Sequence, residues 1–374
     1  MKHAWLFFTT LIFLFVFCKP VCAATMADPF DGKEADEWLV QVPEEERLGL
    51  TMKDLMKKMA AGEFEAVFYV MAEKAGGILF DEIRTNAGIL RRILFLSVLG
   101  ALLTSFSSAF GSGTCAETSF YVIDLLMLTF LMAGFSESID TAGQILSRIA
   151  GFMKMVLPAY LTAVAVTGGT LTSAGLTGIS FAVISMVETI FSGILLPLIK
   201  VFLVFTMMGN LYRENMMSRF TDLLKKVIIR TVKVLSGLVI GFELVQGMVL
   251  PNADLLRNST ILNTMVMIPG FGARAGAFSR VLLGSGVLIR NTAGAATAVI
   301  IFALAAVPVI RLMVIAFLYS LTAALMQPVC DRRLTEAVAG AAEGYSLLIR
   351  IIGTSVLLLI LTMGILCVSS NAVI

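Results

Sequence analysis

The chain has 374 residues, 58 % of them hydrophobic and 14 % charged, with a mean hydropathy of +0.92. Soluble domains are nearer half apolar and a quarter charged, so lipid must be part of the solvent here. The formal net charge of +2 leaves no broad positive excess, and nucleic acid is not an expected partner.

The N-terminus has the three parts of a secretory signal. Lys2 and His3 begin it, residues 4–17 are apolar, and Val21-Cys22-Ala23-Ala24 offers a small-residue cleavage region. Cleavage is expected after Ala23 or Ala24, which makes 1–24 a signal peptide. Lys19 and Pro20 stand where a lipoprotein signal wants apolar and small residues, so Cys22 is a poor lipidation site. An uncleaved anchor would export the same following segment. Cys18 and Cys22 belong to the signal, and Cys115, Cys330 and Cys367 are scattered without metal-ligand spacing.

Residues 25–90 read as an exported acidic and helical segment. Asp28, Asp31, Glu34, Asp36, Glu37, Glu44, Glu45 and Glu46 make its beginning acidic, with few apolar residues to pack, and predict a mobile stretch. Thr51 with Asp54 approximates a capping box, and Met52, Leu55, Met56 and Met59 fall on one helix face. A second helix over about 64–80 leads toward the membrane. Nothing in the segment names a ligand, so a packed subdomain or spacer is the favoured reading over a binding module.

Residues 91–374 form the polytopic body of an all-α membrane protein. A helix needs roughly 20 apolar residues to cross about 30 Å of hydrocarbon. Spans are expected near 93–110, 119–135, 152–168, 175–209, 234–250, 294–326 and 346–368, about seven in all. Pro197 interrupts the fourth, and Pro308 and Arg311 the sixth, so each is a kinked helix or a pair of half-spans.

Between the fourth and fifth spans, Arg213, Arg219, Lys225, Lys226, Arg230 and Lys233 face only Glu214 and Asp222 in charge. This densest basic run should be cytoplasmic. Phe220, Leu223, Leu224, Val227 and Ile228 recur at helical spacing, which predicts a helix lying along anionic inner-leaflet lipid before the next span. With the N-terminal segment exported, parity favours two half-spans over 175–209. Arg84, Arg91 and Arg92 are then left outside, against the rule.

No nucleophile elbow, phosphate-cradling loop or helical histidine pair occurs, and His3 is the single histidine. We expect no enzyme, cofactor or metal site. The informative residues are ionisable ones inside apolar runs: Asp124, Glu188, Lys200, Glu243 and Arg311. Lys200 and Arg311 can snorkel to an interface, and the acids can serve packing alone. Glu243 and Gln246 share a helix face, and together they would line a polar interior or bond a neighbouring helix. Gly237 and Gly241 form a GxxxG pair just before them, where backbones can approach closely. Residues 251–293, with Pro251, Pro269, Gly270 and the ladder Arg257, Arg274, Arg280 and Arg290, suit either a re-entrant element or an extramembrane helical hairpin.

The C-terminal half resembles the stage III sporulation protein AE family of endospore-forming bacteria. The resemblance is carried by Gln246-Gly247, the Pro269-Gly270 turn, Ile289-Arg290-Asn291 entering a span, Pro308 within it, and Ala323-Ala324-Leu325-Met326-Gln327-Pro328. It covers about 230–370 well and the rest by layout, and it departs around Arg257-Asn258-Ser259-Thr260. It implies a multi-pass component of the mother-cell membrane, in the channel or secretion-like complex joining mother cell and engulfed forespore. The implied partners are other stage III sporulation membrane proteins, beside membrane lipid; a homo-oligomer is left open. A self-contained secondary transporter is the competing reading, from broken helices and intramembrane charge, although no internal repeat supports it.

Overall fold

The computed structural model describes residues 33–43, 49–61, 63–109, 113–166, 170–211, 217–266, 272–328 and 330–371. The side chains of 250–290 are outside that description, as is the expected signal at 1–24. Every regular element among the described residues is helical.

Two short helices come first, α1 (Lys33–Val40) and α2 (Met52–Ala60). Part of the acidic stretch expected to be mobile is therefore ordered. Ala35 and Leu39 are buried, and the Trp38 ring lies 5.3 Å from Phe152 of the body. The capping box does not form, because Thr51 makes no side-chain cap bond. Instead Asp36 accepts from the Met52 amide at 2.6 Å, so a carboxylate from α1 meets a free N–H of the first turn of α2. The apolar face is as the spacing predicts: Met52, Leu55 and Met59 are buried.

Long rods follow: α3 (Phe64–Ala109), α4 (Gly113–Val166), α5 (Thr170–Ile190), a π-helical turn (Phe191–Leu195), α6 (Leu196–Leu211), α7 (Ser218–Val266), α8 (Gly272–Met326) and α9 (Arg332–Asn371). Contacts fix their directions. Ser138 meets Tyr345 and Tyr160 meets Cys367, so α4 runs parallel to α9. Lys225 pairs with Glu343 and Thr362 with Glu243, so α7 runs the same way. Tyr319 stacks on Tyr345, while a Cβ on Gly294 would meet Cys367, so α8 runs opposite. Arg92 lies over Phe130 and a Cβ on Gly100 would meet Ile123; Lys154 pairs with Glu188 and Lys200 with Ser136. Thus α3 and the α5–α6 rod also run opposite to α4. One end of this antiparallel bundle holds the turn between α8 and α9 and is called the turn end; the far end holds Tyr160, Glu243, Gly294 and Cys367. The α9 helix packs on α4 through α8.

Five helical stretches among the described residues are long and apolar enough to cross a membrane: Tyr69–Leu102, Tyr121–Ala165, Gly178–Gly209, Asn291–Met326 and Arg332–Val368. Six of the seven expected spans fall on these five stretches, and the expected 234–250 is not among them. The spans at 119–135 and 152–168 are parts of the single 54-residue α4. The polar residues between them stay on the rod, with Glu137 and Asp140 on its outside. At 1.5 Å per residue α4 is about 80 Å long, so a helix end need not coincide with a membrane surface. The run 175–209 is continuous as well, not two half-spans. Pro197 withdraws one amide donor, and the wider π-helical turn lies immediately before it. Pro158 and Pro308 stand inside α4 and α8.

The basic run is not a surface-lying helix that turns into a span. From Ser218 it is the first third of α7 and shares one axis with 234–250. Its apolar residues split between two sides: Leu224 and Ile228 are buried, while Phe220, Leu223 and Val227 are exposed. The backbone of 251–266 and 272–290 is helical and continuous with α7 and α8; Pro269 and Gly270 lie outside the described residues.

Candidate functional site

Among the described side chains of α7 the buried residues are Leu224, Ile228, Val232, Leu235, Val239 and Glu243. They recur every three or four positions, which is one face of a helix. That face packs on α5, α6 and α9, so Glu243 occupies a core position that its predecessors fill with aliphatic side chains. It is 5 % exposed, whereas Phe242, Leu244 and Val245 beside it point outward.

The partner across the contact is Thr362 of α9, itself buried. Its hydroxyl oxygen meets Glu243 Oε1 and also the Leu358 carbonyl, the latter at 2.9 Å. Glu243 Oε2, Gln246 Nε2 and, on α8, Asn291 Oδ1 are buried with no hydrogen-bond partner among the described residues. Such atoms are costly to leave unpaired, and their collection at the far end marks the candidate site. Close by, the Tyr160 hydroxyl reaches Cys367 Sγ at 3.3 Å.

The structure turns Glu243 toward α9, with Gln246 and Gly247 half-buried after it, but not the GxxxG pair. Gly237 and Gly241 are exposed, with open space where a Cβ would stand, so close backbone approach is not how α7 meets α9. The other predicted residues are dispersed. Asp124 is buried at the turn end, within the fields of Arg333 and Asp331. Glu188 forms a half-buried ion pair with Lys154 at 2.7 Å. Arg311 donates to Glu82 at 2.9 Å. Pro308 is buried midway along α8, and Gln327 and Pro328 are exposed in the turn to α9.

Sequence reasoning missed the hydroxyl partners. Thr362 and Ser355 are buried seven residues apart on α9, a helical repeat visible in the sequence once that helix is taken as the core. It also missed an inter-helical relay in which Ser138 and Tyr345 meet at 3.2 Å, with Tyr319 stacked on Tyr345 and Phe135 edge-on to it.

A family model described as Stage III sporulation protein AE matches residues 50–370, from α2 through nearly all of α9. This chain belongs to the stage III sporulation protein AE family. The match extends the resemblance from the C-terminal half to almost the whole body and leaves only α1 of the described helices outside. A curated relative, "Stage III sporulation protein AE" of Bacillus subtilis (strain 168), is 22 % identical over 252 residues. That alignment covers 67 % of this chain and 63 % of the relative, less than two thirds of the relative's length. No solved structure matches.

Proposed function

We propose that this protein is a multi-pass component of the mother-cell membrane that works with other stage III sporulation membrane proteins in the channel or secretion-like complex serving the engulfed forespore. The observation that carries the reading is the family match across 321 consecutive positions, 50–370, on a body with five membrane-competent helices. It acts as a structural membrane component of that complex, and not as an enzyme.

The bundle supports an exported N-terminal segment and a cytoplasmic turn end. From an exported start, α3, α4 and the α5–α6 rod make three crossings, which bring Ser218 to the cytoplasmic side. Arg219, Lys225, Lys226, Arg230 and Lys233 then obey the charge rule. Arg92, lying over Phe130 of the α4 half nearest the turn end, ceases to be an exception. In this reading the polar seam between α7 and α9 is where assembly or passage is sensed.

Deleting the gene should arrest sporulation after engulfment, and the tagged protein should co-purify with other stage III membrane proteins. Normal spores from the deletion strain would defeat the reading. Ser218→Cys should resist an impermeant thiol reagent in intact cells, and an export-dependent reporter fused after Gly62 should be active. Glu243→Leu should insert normally yet impair sporulation; conductance of the purified protein separates a pore from a scaffold.

A further inference from the structure

The hydrogens around Thr362 can be counted. A threonine hydroxyl carries one hydrogen and two lone pairs. Here its oxygen has two contacts that would each use that hydrogen, the Leu358 carbonyl and Glu243 Oε1. Elsewhere in this bundle the hydroxyls of Ser97, Thr206, Ser236, Thr297, Thr322 and Thr354 all donate to the carbonyl four residues back. Thr362 has the same geometry toward Leu358, and its hydrogen is committed there. The contact with Glu243 then lacks a hydrogen unless the carboxyl supplies one.

The surroundings agree. Oε2 has no donor among the described residues, and a buried carboxylate with an unpaired oxygen costs far more than a neutral acid with an unpaired carbonyl. No cation pairs with Glu243 among the described residues. On α5 the charged residue is Glu188, which is held by Lys154, and on α6 it is Lys200, which meets Ser136. On α9 the nearest preceding charge is Arg350, twelve positions or about 18 Å of helix from Thr362. On α7 it is Lys233, ten positions or about 15 Å away. The side chains of Asp254 and Arg257, further along α7, are outside the described set.

We infer that Glu243 is a proton-binding site, a neutral carboxylic acid whose O–H donates to Thr362 Oγ1 and ties α7 to α9. The ligand is a proton, and nothing else is transferred. Its departure leaves a carboxylate facing a hydroxyl already spent on Leu358. The seam then loosens unless Gln246, one turn along and with no acceptor for its Nε2 among the described residues, swings to meet the new charge. Proton occupancy is thereby coupled to how α7 sits on α9. The inference goes beyond the proposed function and stands whether or not the protein conducts anything.

The test uses the full-length protein in phospholipid bilayers at neutral pH and reads the infrared carbonyl stretch of protonated carboxyl groups. Wild type should give a band that shifts in D2O and is lost in Glu243→Gln, with helix content unchanged. A wild-type spectrum containing no band that this substitution removes overturns the proposal. Thr362→Val serves if Glu243→Gln fails to fold: it should keep the band and move it to higher frequency, because the acid loses its acceptor. An unmoved band would mean that Glu243 does not donate to Thr362, and would also overturn the proposal. Sporulation is not the readout, so failure here leaves the family-based function intact.

Discussion

At the turn end of the bundle charges come in pairs: Lys225 with Glu343, Arg332 with Glu336, and Asp124 under the fields of Arg333 and Asp331. At the far end the polar atoms are isolated instead, with Glu243 against one hydroxyl and Gln246 Nε2 and Asn291 Oδ1 unpartnered among the described residues. The Lys225–Glu343 and Arg332–Glu336 pairs are partly open to water, which screens them and lowers what each is worth, while Asp124 is buried close to charged neighbours. The far-end groups are enclosed, where one missing partner is expensive. The same residue types therefore carry different weight according to depth. The turn end tolerates charge, and the far end discriminates between a neutral and an ionised group.

The strongest challenge to this contrast is charge reversal at each end. Glu243→Lys puts an unpaired ammonium into the far end and should cost about 3–5 kcal/mol, as uncompensated buried charges do. The yield of folded, detergent-extracted protein should collapse. Lys225→Glu, at a partly exposed position, should extract normally, and equal losses from the two would erase the distinction.

Volume sharpens it next. Beside the ion pair at the turn end, a Cβ on Gly344 would come within 2.9 Å of the Phe135 ring, so the end that accepts charge has no room for a methyl group. Gly344→Ala should destabilise by about 1–3 kcal/mol in thermal unfolding. A smaller effect is expected from Tyr345→Phe, which removes the phenol that Ser138 contacts and leaves that buried hydroxyl with only its Gly134 carbonyl acceptor. About 1 kcal/mol should be lost. Smallest of all, Lys225→Ala should change stability by no more than about 0.5 kcal/mol, and added salt should remove even that.

How much could be read in advance divides along the same physical lines. Apolar runs announce that helices meet lipid or core, and the α2 face Met52, Leu55 and Met59 was legible from spacing alone. The ends of the rods were not. The expected spans 119–135 and 152–168 stop short of a stretch carrying exposed Glu137 and Asp140, because charge signals water, but a helix long enough to leave the bilayer can carry charge without ending. Glu243 was legible as an acid in an apolar run, and its inward direction follows from the repeat that precedes it on α7. Thr362 was hidden, since a threonine among leucines carries no net charge to draw attention. The GxxxG pair marked a flat strip at Gly237 and Gly241, but a flat strip does not say which way it faces. Asp36 capping α2 from α1 is a tertiary contact that no local motif encodes.

The contrast also runs between helices. In α8, 61 % of the apolar window is buried within the protein, against 17 % in α3, although both are long enough to span. Hydropathy alone cannot tell a helix wrapped by protein from one bathed in lipid, which is why the core hydroxyls escaped notice.

The π-helical turn carries one more consequence. Its i→i+5 bonding makes Phe191–Leu195 equivalent to an α-helix with one residue too many, and Gly193 has nothing packed where a side chain would begin. Deleting Gly193 would remove the extra residue and leave the two halves nearly in phase, whereas straightening the turn with every residue kept would rotate everything after it by about 100° relative to everything before. Ile199, Phe202 and Leu203, now buried, would swing off the α9 side together. By absorbing one residue the π-helical turn thus sets the phase between two halves of one rod, and it holds Lys154–Glu188 before it and Lys200–Ser136 after it in register on the same helix α4.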